Sequence, residues 1–158
     1  SVKCDGTSLV PAMADAPSNL ALDAFNETGI WIAPPPGQPK DNLKYPDLLD
    51  LLDVPDDATG TLAIKPGYRD TVLLAKDRMV RSGKWKLLYQ PLEVGKQLTL
   101  YDVDADPGYT IDVADQHPEH VARLWKTLRT WMQGDLVLRR DARVTPRDDI
   151  KFNSIGSA

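Results

Sequence analysis

The clearest pattern of apolar and polar positions lies in the second half of the chain, in the segment DQHPEHVARLWKTLRTWMQGD. Its apolar residues recur three or four positions apart, the spacing that places side chains on one face of an α-helix. They are Val121, Leu124, Trp125, Leu128, Trp131 and Met132. Pro118 suits the first helical position, and Gly134 suits the cap at the carboxyl end. An isolated helix of this length is marginal, so the pattern predicts that its apolar face packs on another element.

Alternating apolar and polar positions just upstream predict the surface that receives this helix. In the segment DRMVRSGKWKLLYQ, a Ser-Gly pair predicts a turn, and apolar and polar residues alternate after it. This is expected of a hairpin with one solvent-exposed face. One side carries Trp85, Leu87 and Tyr89, and the other carries Lys84 and Lys86. A further turn across residues 91–95 leads into residues 97–101. We therefore predict an α+β fold, in which a small antiparallel sheet of about three or four strands packs against a carboxyl-terminal amphipathic helix.

The remaining segments carry shorter or ambiguous patterns. FNETGIWI, residues 25–32, predicts a strand, and YPDLLDLLDV predicts a short helix with Pro46 at its start. YRDTVLLAK, residues 68–76, fits either a helical face or a short buried strand. The proline-rich residues 33–40 predict an extended surface connection, and residues from about 140 to 158 predict a polar tail.

Composition and charge narrow the classes of protein to consider. The 158 residues include 42% hydrophobic and 27% charged side chains, which is ordinary for a globular chain and predicts a single domain over residues 1–158. The net charge of −4 and the lack of a basic run with interleaved aromatics argue against nucleic acid as a partner. No apolar run approaches the roughly 18 residues of a membrane span. Cys4 is the single cysteine, so no disulfide can form within the chain.

An acidic stretch, LYDVDADPGYTIDVA, raises the question of a metal site. Asp102, Asp104 and Asp106 occupy alternate positions, like the first calcium ligands of an EF-hand loop. That loop requires Gly at its sixth position and Glu at its twelfth, where this chain has Pro107 and Val113. The strand pattern before the stretch and the helix pattern after it favour a connector and helix cap. We expect no metal ligand here.

Other chemistry-bearing residues also have a structural interpretation. His117 and His120 lie three residues apart at the predicted helix start, but zinc requires three or four ligands, so a capping or surface role is favoured. The tryptophans are candidates for a sugar-stacking platform, although core packing is favoured for those on the apolar faces. They are Trp31, Trp85, Trp125 and Trp131. No glycine-rich phosphate loop, G-x-S-x-G or H-E-x-x-H motif occurs. A Ser-His-Asp arrangement stays open, because triads assemble from residues far apart in sequence, but nothing marks any serine as activated.

Three segments in order, RMVRSGKWKLLYQ, LYDVDADPG and VADQHPEHVARLWKTLRTWM, resemble the carboxyl-terminal region of sulfatases, members of the alkaline phosphatase superfamily. In that family an R-x-G-x-W/Y-K hairpin precedes an L-Y-D-L-x-x-D-P-x-E-x-x-N-L-A segment and a closing amphipathic helix. The matching residues are Arg81, Gly83, Trp85, Lys86, Leu100, Tyr101, Asp102, Asp106, Pro107 and Ala114. Tyr109 and Asp112 depart from the family's Glu and Asn. DGTSLVPAM and FNETG also resemble family segments, so the resemblance spans about residues 5–133.

The resemblance implies that chemistry resides outside this chain. Sulfatases share a C/S-x-P-x-R motif, whose Cys or Ser becomes formylglycine, while Asp and Asn side chains hold a divalent cation, generally calcium. Cys4 begins C-D-G-T-S, which lacks the Pro and Arg of that motif. The chain then resembles the non-catalytic carboxyl-terminal portion of a larger enzyme, with no cofactor of its own. Its implied partners are an amino-terminal catalytic domain of the same polypeptide and a small-molecule or glycan sulfate ester substrate.

The family resemblance also suggests which residues border a substrate pocket. In sulfatases this region resembles a small sheet and helix that lend loops to the pocket rim. The hairpin tip and residues 26–31 are therefore expected to face substrate, with Lys84, Arg81 and Glu27 as the rim candidates. Lys84 or Arg81 would attract the anionic groups of a sulfate ester.

Two further hypotheses compete with a sulfatase fragment. The chain can be an autonomous module whose tryptophan-bearing surface binds a glycan or a partner protein. It can also belong to a related phosphoester hydrolase or transferase, because the same architecture hosts different reactions. If a catalytic domain normally covers part of this chain, an apolar patch is left exposed and the isolated chain is expected to self-associate.

Overall fold

The chain forms a main antiparallel sheet, a two-stranded ladder and a long carboxyl-terminal helix in the computed structural model, which describes residues 8–13, 22–29, 37–44 and 46–138. The helices are α1 (Val10–Met13), α2 (Leu48–Leu51), α3 (Arg69–Leu74) and α4 (Pro118–Leu138). The strands are β1 (Asp23–Glu27), β2 (Leu52–Asp53), β3 (Ala63–Ile64), β4 (Arg78–Ser82), β5 (Trp85–Pro91) and β6 (Lys96–Asp102). Single 3-10 turns cover Pro66–Tyr68 and Ala114–Gln116.

The main sheet has the strand order β1-β4-β5-β6, and every neighbouring pair is antiparallel. Gly83 opens the two-residue turn between β4 and β5 with a φ of 58°, a conformation that glycine adopts without a steric penalty. Gly95 closes the turn between β5 and β6 with a φ of 83°. The predicted meander and the predicted α+β class are therefore confirmed, and β1 adds a fourth strand through its pairing with β4.

Helix α4 packs its apolar face on one side of this sheet. Buried side chains of the three consecutive strands meet buried side chains of the helix in one cluster, which includes Val80, Leu87, Leu100, Leu124, Leu128 and Met132. Val121, Trp125 and Trp131 flank the cluster as partly buried neighbours. Each fully buried side chain stabilises the fold by roughly 1.5–3 kcal/mol relative to exposure. The predicted helix face is thus the face that docks.

The opposite side of the sheet is polar. Successive side chains of a strand point to opposite faces, so the neighbours of Leu87 and Tyr89 on β5 lie away from the helix. Leu88 and Gln90 are two of these neighbours, and the strand register places them beside Thr99 and Gln97 of β6. We call this face the open face, although Gln90 and Thr99 are buried within it.

The structure corrects two predicted element boundaries. Helix α4 does not end at Gly134 but continues to Leu138, because a glycine within a helix costs only about 1 kcal/mol relative to alanine. Helix α2 does not start at Pro46: it begins at Leu48 and is capped by Asp47, whose carboxylate accepts a hydrogen bond from Leu49 N. An Asp side chain can satisfy a free helical N–H, which proline cannot do.

The strand predicted over residues 25–32 is correct only in its first part. Strand β1 ends at Glu27, and Thr28 and Gly29 lie outside it. Thr28 still faces Asp77, the residue before β4: Thr28 N donates to Asp77 O, and Asp77 N donates to the side-chain Oγ1 of Thr28. Residues 30–32 lie outside the described part of the chain.

Other predictions meet the structure only in part. Residues 68–74 of the ambiguous segment 68–76 are helical, since a 3-10 turn leads directly into α3, which ends at Leu74. Residues 33–36 of the proline-rich connection and the predicted tail from residue 140 onward lie outside the described residues. Among the helices that are described, none has the length and apolar character needed to cross a membrane.

Candidate functional site

The tip of the β4–β5 hairpin positions Lys84, the first rim candidate. Its Nζ lies 2.6 Å from Asp102 Oδ2 and 4.6 Å from the centroid of the Trp85 ring. Val103 N donates to Lys84 O at 2.8 Å, so the backbone of the tip is also tied to the end of β6. The Lys84 side chain remains 47% exposed. Its ammonium group is therefore paired with a carboxylate yet still accessible to solvent and solutes.

Arg81, the second rim candidate, lies beside the same turn. Its Nε donates to Gly83 O at 3.2 Å, which holds the exposed side chain along the hairpin. Arg123 of α4 reaches the other side of the turn, where its guanidinium lies 3.5 Å from Ser82 Oγ. Three cationic side chains therefore surround the tip. Two carboxylates also lie close to this turn, since Asp102 is paired with Lys84 and the strand register places Asp23 opposite Ser82.

Asp102 is electrostatically adapted to this position. The hydrogen bond from Lys84 is the main reason that the pKa of Asp102 is lowered, and the backbone N–H groups of Ala105 and Asp104 add to the effect. The carboxylate accepts hydrogen bonds from those two N–H groups at 3.2 Å each. Asp102 is thus an ionised anchor that joins the hairpin tip to the loop after β6.

Glu27, the third rim candidate, is not part of the tip. The register pairs Glu27 with Arg78, whereas Arg81 is paired with Ala24 three residues away along β1. Its carboxylate forms ion pairs with Lys76 and with Arg78, the latter at 3.3 Å from Nε. The structure therefore brings Lys84 and Arg81 together and places Glu27 at the other end of the β1–β4 ladder, in an ion-pair network.

The two histidines pack on an aromatic ring. The centroid of Trp85 lies 4.7 Å from that of His117 and 4.5 Å from that of His120. Oε1 of Glu119 lies within 4 Å of both imidazoles, at 3.8 Å from His117 Nδ1 and 3.6 Å from His120 Nε2. Across the described residues, no three His, Cys, Asp or Glu side chains form a group that could hold a metal ion.

The three tryptophans in the described part of the chain pack in or against the hydrophobic core. Trp125 stacks on Tyr89 with a centroid distance of 5.2 Å, and Trp131 stacks on Phe25 at 5.0 Å. Trp85 belongs to the buried cluster itself. The prediction of core packing is confirmed for these three, while Trp31 lies outside the described residues.

The acidic stretch forms a hydrogen-bonded loop. The Asp106 carboxylate accepts from Thr110 N at 2.5 Å and Ile111 N at 2.8 Å, and the Ile111 N–H is the main reason that its pKa is lowered. Asp112 Oδ1 accepts from Leu100 N at 3.0 Å and from Ala114 N at 2.9 Å. The predicted connector role is confirmed, since these carboxylates are bonded to the loop's own backbone and to the edge of β6.

The open face carries a groove of about 450 Å³ that the sequence pattern did not reveal. Its lining comes from the start of the described residues 37–44, the residue before β4, strands β5 and β6, and the acidic loop. The lining residues are Gly37, Gln38, Asp77, Leu88, Gln90, Gln97, Thr99, Tyr101, Tyr109, Thr110 and Asp112. The alternating polar residues of β5 and β6 predict which side of the sheet faces solvent, but they do not predict a concave surface.

A buried carboxylate forms one end of this groove. Asp77 is 7% exposed and accepts three side-chain amide hydrogen bonds, each at 3.2 Å, from Gln38, Asn42 and Gln90. Buried charges are tolerated when such donors replace water. The three amides are therefore oriented with their nitrogen atoms toward Asp77. Their carbonyl oxygens then point away from that carboxylate.

Two tyrosines form the other end. Tyr109 has a φ of 55° and is the one described non-glycine residue with a positive φ. Lys86 Nζ lies 3.7 Å from its ring centroid, and the ring meets Tyr101 edge-to-face at 5.7 Å. Burial raises the pKa of Tyr101, with the Asp112 and Asp106 charges adding to the shift, so its phenol stays protonated at neutral pH. Tyr109 remains 41% exposed at the rim.

No protein-family model matches this chain.

The hairpin tip and the open-face groove offer different chemistry. The hairpin tip offers positive charge to an approaching anion, through Arg81, Lys84 and Arg123. The open-face groove offers hydrogen-bond donors and acceptors next to aromatic rings, and its described lining contains no cationic side chain. Both regions are suited to binding a ligand.

Proposed function

We propose that this chain is the non-catalytic carboxyl-terminal portion of a sulfatase-like hydrolase. Sulfuric ester hydrolysis would take place in an amino-terminal catalytic domain of the same polypeptide, and this portion completes the fold and borders the substrate pocket. The observation that carries the proposal is that the segments resembling sulfatases contact one another. Lys84 of the R-S-G-K-W-K hairpin pairs with Asp102 of the L-Y-D segment, and α4 packs on both strands.

The structure accommodates the two departures from the family pattern, Tyr109 and Asp112. Asp112 stands where the family has Asn, and the two hydrogen bonds accepted by its Oδ1 could equally be accepted by an Asn side-chain oxygen. Tyr109 stands where the family has Glu, and its ring receives the Lys86 ammonium that a carboxylate would pair with. Lys86 itself matches the basic residue that ends the family's hairpin motif.

The hairpin tip supports a role at the pocket rim. Arg81, Lys84 and Arg123 surround one turn, and an anionic substrate approaching that turn is attracted by them over about a Debye length, near 8–10 Å. No residue of this chain is assigned to the formylglycine or the divalent cation. Those groups would reside in the catalytic domain, together with the residues that perform hydrolysis.

The reading frame upstream of Ser1 provides the first test. An in-frame C/S-x-P-x-R motif followed by sulfatase activity of the longer protein toward an aryl sulfate is the expected result. A start codon directly before Ser1 would overturn the proposal in favour of an autonomous binding module. A Thr nucleophile with similar metal ligands would move the protein to phosphoester chemistry.

Activity of the 158-residue chain provides the second test. We expect no turnover of an aryl sulfate by this chain alone, and turnover by the longer protein under the same conditions. Hydrolysis by the 158-residue chain at enzymatic speed would contradict a non-catalytic role.

A further inference from the structure

We propose that the open-face groove is a binding site for a neutral saccharide. The groove is distinct from the hairpin tip, and the inference does not depend on the sulfatase proposal. Its volume of about 450 Å³ lies within the range of small-molecule sites, roughly 300–1,000 Å³. Its length follows β6 from Gln97 to Tyr101, about 13 Å at the rise of an antiparallel strand.

Hydrogen-bonding capacity is the first property that selects the ligand class. The lining combines amides, hydroxyls and carboxylates, which together donate and accept hydrogen bonds. Because the half-buried Gln38 directs its nitrogen to Asp77, it can offer its carbonyl oxygen to a ligand. Gln97 donates to Thr99 Oγ1 at a long 3.4 Å, a bond that a ligand can replace at little cost. Saccharide hydroxyls, which both donate and accept, match such a lining.

Charge is the second property. Asp77 and Asp112 line the groove, and among the residues that the structure describes no Lys or Arg side chain does so. Lys86, which lies beside the groove, is engaged with the Tyr109 ring at the rim. An anionic ligand would therefore meet like charge, which is costly at short range, whereas hydroxyl groups can donate to the carboxylates. The groove consequently favours a neutral saccharide over a sulfated or phosphorylated one.

Aromatic surface in a fixed position is the third property. Tyr101 and Tyr109 supply ring surface at one end, and ring faces pack against the C–H groups of a sugar. The loop that carries Tyr109 is held by the Asp106 carboxylate, through the N–H groups of Thr110 and Ile111. A side chain presented by such a loop loses little conformational freedom on binding, which favours affinity.

Titration of the full chain with oligosaccharides, followed by amide NMR spectra, tests the proposal. The probes are cellotetraose, maltotetraose and chitotetraose, with a heparin-derived tetrasaccharide as the anionic comparison. We expect saturable shifts for at least one neutral probe at Gln97, Thr99 and Tyr101, while α4 amides remain unchanged. The heparin fragment is expected to bind this groove more weakly than that neutral probe.

Two groove variants and one control sharpen the test. Gln97→Ala removes an exposed amide, and Tyr109→Gly removes the ring while relieving its positive φ, so both variants are expected to fold. Each should weaken binding roughly three- to tenfold. Lys126→Ala, on the exposed side of α4, should leave the affinity unchanged.

Three results would overturn the saccharide site. They are no saturable binding by any neutral probe at millimolar concentration, binding that neither groove variant weakens, and stronger binding of the heparin fragment to the groove. A failure of this kind would leave the upstream-motif test of the sulfatase proposal untouched.

Discussion

Tyr109 adopts a backbone conformation that is unfavourable for a non-glycine residue. A left-handed conformation costs an L-residue about 1–2 kcal/mol relative to glycine, and Tyr109 adopts it at a φ of 55°. The compensation is visible in its contacts, since the ring meets both Lys86 and Tyr101. Strain of this kind is common at ligand-binding positions, which agrees with the placement of Tyr109 at the groove rim.

A comparison of two substitutions isolates this backbone cost. Tyr109→Ala and Tyr109→Gly both remove the ring, but only glycine adopts the positive φ freely. We expect the glycine variant to be more stable than the alanine variant by about 1 kcal/mol, the reverse of the usual order in helices. Urea denaturation of both proteins measures the difference. Equal stabilities, or a more stable alanine variant, would show that the conformation carries no cost.

Lys84 is the residue at which the proposed role in substrate attraction can be tested. In the longer protein, Lys84→Ala is expected to raise KM more than it lowers kcat toward a sulfate ester, because it removes uniform attraction for the anion. Asp102→Asn is the matched control: it breaks the same ion pair but leaves the Lys84 charge in place. Steady-state kinetics should show little rise of KM for the control. Unchanged kinetics of Lys84→Ala would remove the hairpin tip from the pocket.

Tyr89 makes stability depend on alkaline pH. Its burial raises the pKa of the phenol to about 12, an effect that the Arg78 charge partly offsets. The unfolded chain ionises near pH 10. The stabilising contribution is therefore fully present below pH 10 and is lost as pH rises toward 12, by about 2–3 kcal/mol. The Tyr89→Phe variant has no phenol at this position, so its stability lacks this pH-dependent contribution.

Urea unfolding of wild type and Tyr89→Phe across this range measures the effect. The stability of the wild type should fall more steeply with pH than that of the variant, because Tyr101 and the other titrating groups are common to both. Parallel pH profiles would contradict a raised pKa for Tyr89.

At the scale of elements, the docking of α4 on the sheet is the main source of cohesion. Leu128 is fully buried between this helix and the strands. Leu128→Ala should cost roughly 2–5 kcal/mol of unfolding free energy, because it removes buried apolar surface and leaves a cavity. Lys126→Ala on the exposed face should change stability by no more than about 0.5 kcal/mol. Thermal or urea denaturation distinguishes them; a similar small loss for both would mean that α4 is not docked.

Elements with long local patterns were predictable, and so was the start of α4 at Pro118, whereas other boundaries were not. The apolar spacing of α4 and the alternation of β5 report which face is buried, since periodicity is a property of neighbouring residues. Gly134 was predicted as a cap, yet its small helical penalty is outweighed by the rest of the helix. Residues 68–76 were ambiguous because a short apolar run fits both a helix and a buried strand.

At the scale of the whole molecule, exposed apolar side chains accompany the covered core. Leu49 is 86% exposed, Val94 is 89% exposed and Leu62 is 63% exposed. If the proposed catalytic domain covers part of this surface, the 158-residue chain should self-associate as its concentration rises, while the longer protein should not. Sedimentation velocity over a concentration series measures this. A strictly monomeric 158-residue chain would count against the proposal of a covered surface.

The sequence by itself determined the two hairpins of the main sheet, the docking helix and the hairpin position of Arg81 and Lys84. These features depend on turn residues and on periodicity within a few residues of one another. Only the tertiary structure decided that β1 pairs with β4 in a register that carries Glu27 away from the tip. It likewise decided that residues as distant as Gln38, Asp77 and Tyr109 line one groove. The physical reason is that pairing between distant segments depends on the packing free energy of the whole chain, which no local pattern contains.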